Sequence, residues 1–120
     1  MTMIIAKTFE FEAAHKLPEE ECYGACSNLH GHTYKLTVEI SGKVNDKGWV
    51  MNFKELKQIV KEVVLDKYDH SNLNDFFAVP TAENMLLRIG LDIHDKLPFT
   101  IKVHSITLWE TSTSYAKITY

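Results

Sequence analysis

Six histidines and two cysteines are spread unevenly over 120 residues, and their spacing is where chemistry can be read. His30-Gly31-His32 puts two imidazoles on one face of an extended segment, about 7 Å apart at Cα by strand rise. Gly31 has no side chain and leaves the opposite face open to close approach of backbone or ligand. His15 ends an earlier alternating segment on its apolar side. If the two segments pair antiparallel, all three rings meet. Three imidazoles are a known catalytic zinc set, with the fourth position left for water or substrate. Cys22-x-x-x-Cys26-x-x-x-His30-Gly31-His32 admits a rival, a closed structural zinc site of two thiolates and two imidazoles. The chemistries differ: two thiolates neutralise the ion and close its shell, whereas three neutral imidazoles leave a Lewis acid. His94 and His104 read as ordinary hydrogen-bonded or surface histidines.

Other residues have acid–base potential. Asp69-His70 follows a helical segment at the mouth of a loop, and an Asp beside a His can orient the ring and stabilise imidazolium for proton transfer. Cys26 lies four residues before His30. A cation nearby would favour its thiolate as base or nucleophile; without one it is a small buried thiol, the reading preferred for Cys22. Glu110 ends an apolar segment on the parity of Ile106 and Leu108. It is either a surface cap or an acceptor for two parallel N–H donors.

These residues need elements to hold them. Ile5 to His15 and His30 to Ile40 alternate apolar and polar, which predicts two half-buried strands. A loop from Leu17 to Leu29 separates them, and Gly42 to Gly48 predicts a hairpin-like turn. Phe53, Leu56, Ile59, Val60, Val63, Val64 and Tyr68 recur at helical spacing after an Asn52 cap. A second helix is expected from Thr81, its N-cap, to Lys96, with Met85, Leu86, Ile89, Ile93 and Leu97 as its stripe. Ile101 to Trp109 reads as a strand whose parity switches near His104 and Ser105, the mark of a bulge. Ala116 to Tyr120 is a short last strand. The order ββααββ argues for one α+β domain over 1–120, an antiparallel sheet with both helices on one face.

Composition limits the function. Thirteen Lys and Arg against sixteen Asp and Glu give a net charge of −3, which excludes a broad basic face for duplex nucleic acid. No apolar run approaches the roughly 20 residues of a membrane helix, and the N-terminus lacks the pattern of a secretory signal. Two cysteines are too few for a disulfide framework and suggest a reduced, cytoplasmic setting.

Five motifs in order, Phe11-Glu12-Ala13-Ala14-His15, Cys26-x-x-x-His30-Gly31-His32, Asp69-His70-x-x-Leu73-Asn74, Pro80-Thr81-x-Glu83-Asn84 and Glu110-Thr111, resemble those of the 6-pyruvoyl-tetrahydropterin synthase family. The similarity is greatest to its bacterial branch, the 6-carboxytetrahydropterin synthases of queuosine biosynthesis. The resemblance covers nearly the whole chain. It implies a tunnelling fold in which sheets of several subunits join into a barrel, typically a homohexamer of two stacked trimers. It implies zinc on His15, His30 and His32, a catalytic thiol at Cys26, a proton relay at Asp69 and His70, a pterin-anchoring carboxylate at Glu110, and Thr81 as a further substrate contact. The implied substrate is 7,8-dihydroneopterin triphosphate. The sister reaction, elimination of triphosphate to a 6-pyruvoyl product, would need the same residues. Cys22 departs from the family pattern by adding a second thiol to the same loop.

Overall fold

The longest apolar alternations pair with each other. In the computed structural model, which describes residues 1–120, β1 (Met3–His15) and β2 (His30–Gly42) run antiparallel with His15 opposite His30 and Met3 opposite Gly42. Period two puts Phe9, Phe11, Ala13 and His15 of β1 on the same buried face as Tyr34, Leu36, Val38 and Ile40 of β2. A slip of one residue would turn every one of them outward, so burial fixes the register. β4 (Lys102–Thr111) adds to β2, and β5 (Ser114–Thr119) adds to β4. A two-residue strand, β3 (Ser71–Asn72), lies parallel to β1 at Ala13 and Ala14. The sheet order is β3-β1-β2-β4-β5.

The predicted order gains this short β3 between the helices, and the sheet is antiparallel except at that one pairing. The expected bulge is at His104: Ser105 pairs with Glu39 and Val103 with Ile40, leaving His104 as the extra residue. The step restores Ile106 and Leu108 to the buried face.

The first helix begins at α1 (Phe53–Val60), passes through a π-helical turn at Lys61–Leu65, and ends in α2 (Asp66–Tyr68). Asn52 caps it by accepting from Lys54 N at 2.9 Å. Leu56, Val60, Val63, Val64 and Tyr68 are buried. Phe53, assigned to the same stripe, is exposed; as the first helical residue it stands ahead of the turn where the buried stripe starts. α3 (Ala82–Lys96) is capped by Thr81, whose Oγ1 accepts from Asn84 N at 3.2 Å. Its Met85, Leu86, Ile89 and Ile93 are buried. Both helices pack on one face of the sheet, the first on β1 and α3 on β4 and β5. Each large aliphatic side chain so buried contributes roughly 1.5–3 kcal/mol.

Two connections differ from expectation. Residues 42–48 do reverse locally, with Asn45 N donating to Trp49 O at 3.0 Å, but the chain runs on into α1 and not into a partner strand. The 17–29 loop contains a 3₁₀ segment, Glu21–Ser27, broken at Gly24 with φ 53° and burying no residue.

Candidate metal centre

The pairing of β1 with β2 ends at the chemistry. His15 and His30 face each other across the last register pair, and His32 pairs with Ala13 two residues in. Ring centroids stand 4.6 Å apart for His15 and His30, 5.1 Å for His15 and His32, and 4.9 Å for His30 and His32. His15 is buried. Glu110 enters from β4, and ligand atoms of the four residues all lie within 4.8 Å of one another.

Tautomers are set by the outer nitrogens. His15 Nδ1 lies 2.8 Å from Pro80 O and His30 Nδ1 lies 2.6 Å from Asn28 O. A carbonyl only accepts, so each Nδ1 carries the proton and donates, and each Nε2 is left with a lone pair. Those two Nε2 atoms are 3.0 Å apart. His32 Nε2 lies 3.0 Å from Glu110 Oε1, yet it is buried and makes no hydrogen bond. His15 Nε2 is 3.4 Å from the same oxygen. Bare lone pairs this close repel unless a cation lies between them. Neighbouring corners of a tetrahedral zinc site with Zn–N near 2.05 Å are about 3.3 Å apart, so the donor set fits such an ion. Burial holds the His32 imidazole below its ordinary range; Glu110 opposes this, and His15 and His30 reinforce it. The ring is thereby kept neutral, the form a metal needs.

The sulfur-rich alternative is not formed. Cys22 and Cys26 are free, exposed and outside the cluster. Cys26 sits on the loop that joins His15 to His30, where its carbonyl accepts from Leu17 N at 2.8 Å.

Asp69 and His70 are held against β1 by Glu12. Glu12 N donates to Asp69 Oδ1 at 3.0 Å, and Glu12 O accepts from His70 N. Asp69 Oδ1 is 3.0 Å from His70 Nδ1, and Glu12 Oε2 is 3.8 Å from His70 Nε2. The Glu12 N–H, with help from His70, holds the Asp69 carboxyl below the usual carboxylate range. His70 takes a left-handed backbone, φ 61°, which is uncommon outside glycine and clusters at functional sites. His70 lines an open cleft of about 450 Å³ with Glu12, Gly31 and Thr33, residues on the strand parity opposite to the three imidazole rings. A Cβ on Gly31 would meet only Ala13 O at 3.7 Å, so the bare glycine keeps this cleft open rather than relieving a clash. The largest cavity, about 850 Å³, opens at the opposite end of the sheet around Ser41, Trp49 and Pro98. It contains neither histidine nor cysteine, so size does not mark the site.

A family model matches nearly the whole of this chain. The model, 6-pyruvoyl tetrahydropterin synthase, covers residues 4–120. The chain belongs to this family.

A 6-pyruvoyl tetrahydropterin synthase structure from Caenorhabditis elegans superposes with a TM-score of 0.89 at 28% identity, covering 100% of this chain and 96% of that one. The 6-carboxy-5,6,7,8-tetrahydropterin synthase of Haemophilus influenzae is 39% identical, with 94% of this chain and 96% of that protein aligned. The dihydroneopterin monophosphate aldolase of Pyrococcus furiosus is 42% identical over 83% of this chain and 82% of its own. The match to the tetrahydropterin synthase family takes in every residue of the histidine cluster and the Asp69–His70 pair. Strand parity predicts the meeting of His15, His30 and His32, and the sequence predicts Asp69 beside His70 and Thr81 as a cap, but not Glu110 among the imidazoles. Sequence reasoning also missed Glu12, Pro80 and Asn28 as the groups that hold His70, His15 and His30. Pro80 and Asn28 act through main-chain carbonyls, for which residue type gives no signal. No helix is long and apolar enough to cross a membrane.

Proposed function

We propose that the chain is a zinc-dependent carbon–carbon lyase. It converts 7,8-dihydroneopterin triphosphate, with uptake of water, to 6-carboxy-5,6,7,8-tetrahydropterin, acetaldehyde and triphosphate, the pterin step of queuosine biosynthesis. The observation that carries this reading is the donor cluster: ligand atoms of His15, His30, His32 and Glu110 lie within 4.8 Å of one another, in a chain that belongs to the tetrahydropterin synthase family. His15, His30 and His32 would hold the ion, which when bound supplies Lewis acidity to the side-chain oxygens of the substrate. Cys26 takes a proton from a side-chain carbon as thiolate. Asp69 holds His70 Nδ1, so His70 moves protons through Nε2 as triphosphate leaves and the carbon–carbon bond breaks. Glu110 accepts the paired N–H donors of the pterin edge. Thr81 lies beside Pro80, the carbonyl partner of His15, and contacts substrate from there.

The full 1–120 chain is the catalytic unit, cytoplasmic, and it works as an assembly. β3 covers β1 only at Ala13 and Ala14, so Met3 to Glu12 keeps a free edge, as does β5 at the other side of the sheet. Long free edges are liabilities unless another chain pairs with them. Edge-to-edge pairing of copies into a barrel, as a homohexamer of two stacked trimers, satisfies both. A native mass near six chains is the expected measurement.

The test is product analysis of the zinc-loaded protein with dihydroneopterin triphosphate. Acetaldehyde and a carboxypterin are expected. A pyruvoyl product without acetaldehyde would mean the sister synthase. Turnover of the monophosphate but not the triphosphate would place the chain with the aldolase relative.

A further inference from the structure

Glu110 occupies a point where the sheet loosens. β4 pairs with β2 only as far as Trp109 opposite Lys35. Its pairing with β5 passes from Trp109–Tyr115 to Thr111–Ser114, so Glu110 is the extra residue of a second bulge. Such a residue is free of both ladders, and bulges next to active sites re-aim a side chain. The freed carboxylate borders two spaces. On one side Oε1 lies 3.0 Å from His32 Nε2 and 3.4 Å from His15 Nε2, close to the spacing of about 3.3 Å between neighbouring ligands of tetrahedral zinc. On the other side Glu110 lines a cleft of about 200 Å³ with Ala82, Ser114 and Tyr115. A carboxylate oxygen bound to a cation gives up electron density and is a poorer acceptor, so a metal and two parallel ring N–H donors compete for Glu110.

From this we infer that Glu110 is a shared ligand. In the ligand-free protein it completes a three-imidazole, one-carboxylate metal set. A heterocycle entering the adjacent cleft draws it away, so the fourth metal position opens only when the ring is seated. This rests on the ring-anchoring role proposed above and adds metal ligation and the coupling between the two. Coupling between sites is reciprocal. A ring that takes Glu110 from the metal weakens metal binding, provided it brings no metal ligand of its own.

Parent pterin, which lacks the side chain, is therefore the probe. Zinc affinity is measured by competition with a chromophoric chelator for the full chain and for Glu110→Gln and Glu110→Ala, with and without saturating pterin. Losing a direct ligand costs at least as much as losing an outer partner of one, about 10-fold or more, and both variants are expected to show that loss without pterin. Pterin is expected to weaken zinc binding several-fold in the wild type and to leave both variants unchanged. Glu110→Gln keeps the side chain's shape, so a fold defect confined to the alanine variant is told apart. Equal zinc affinity in the wild type and Glu110→Gln overturns the ligation. Indifference to pterin in a wild type that binds it overturns the coupling. A wild type that binds no pterin overturns the anchoring role and the coupling together, while the zinc titrations of the variants still decide the ligation.

Discussion

Removing zinc should cost the protein a measurable part of its stability. The perturbation is chelation, and the structure supplies the reason: with Nδ1 of His15 and His30 committed to carbonyls, their Nε2 lone pairs face each other at 3.0 Å. The unfolded chain has no such array, so the ion binds the native state preferentially. At free zinc one hundred times the dissociation constant, the gain is about 2.7 kcal/mol. For 120 residues the unfolding entropy near the midpoint is roughly 250 cal/mol/K, from about 2.1 per residue. The ratio predicts a rise in Tm of about 11 °C. The assay is thermal unfolding followed by circular dichroism across a series of zinc-buffered solutions. His32→Ala should shrink the rise sharply, and the double variant Cys22→Ala with Cys26→Ala should leave it intact. A melting temperature indifferent to zinc refutes the reasoning. A rise abolished by the cysteine pair but not by His32→Ala would restore the sulfur-ligated alternative.

Cys26→Ala should keep stoichiometric zinc and lose about 100- to 10,000-fold in turnover, the usual worth of a proton-transfer group; full activity would remove the thiol from the reaction. Tyr34→Phe deletes a buried hydroxyl 3.3 Å from His15 Nδ1, with an expected cost of about 1 kcal/mol or about 4 °C in Tm. Zinc affinity should barely change, because Pro80 O still holds the ring; a large loss of metal would assign the orienting role to Tyr34 instead. For Asp69 the folded-state pKa lies below the ordinary 3.8, so its ionised form stabilises the fold above that value, and the contribution fades as pH falls through the folded-state pKa. Asp69→Asn should therefore show its stability deficit in urea at neutral pH and lose it in acid. A deficit that persists unchanged into acid would trace the effect to packing.

Much of this centre was legible because parity is legible. His15, His30 and His32 share a face with Phe11, Tyr34 and Leu36, and period-two alternation exposes that without coordinates. The His104 bulge was readable for the same reason, since an inserted residue inverts the alternation. The caps at Asn52 and Thr81 follow from residue chemistry alone. What stayed hidden depended on partners distant in sequence. Ser71 and Asn72 make too short a strand to leave a pattern, and only their contact with Ala13 and Ala14 defines β3. The placement of Glu110 among the imidazoles needed the second bulge, whose strands give only the short Trp109-to-Ser114 corner as a clue. The π-helical turn at Lys61–Leu65 preserves the buried stripe and so left no mark on the hydrophobic spacing.

The coordinating atoms sit at one tip of a ribbon of two thirteen-residue strands, roughly 40 Å from its other tip at about 3.4 Å per residue. Lengthening, trimming or fusing the chain around Met3 and Gly42 should leave metal affinity untouched. A single-residue deletion between Phe11 and His15 would swing the ring of His15 to the helix-free side and abolish coordination at a stroke, whereas removing two residues would restore its direction. Descendants of this chain can thus drift in length at one end and only in even steps at the other.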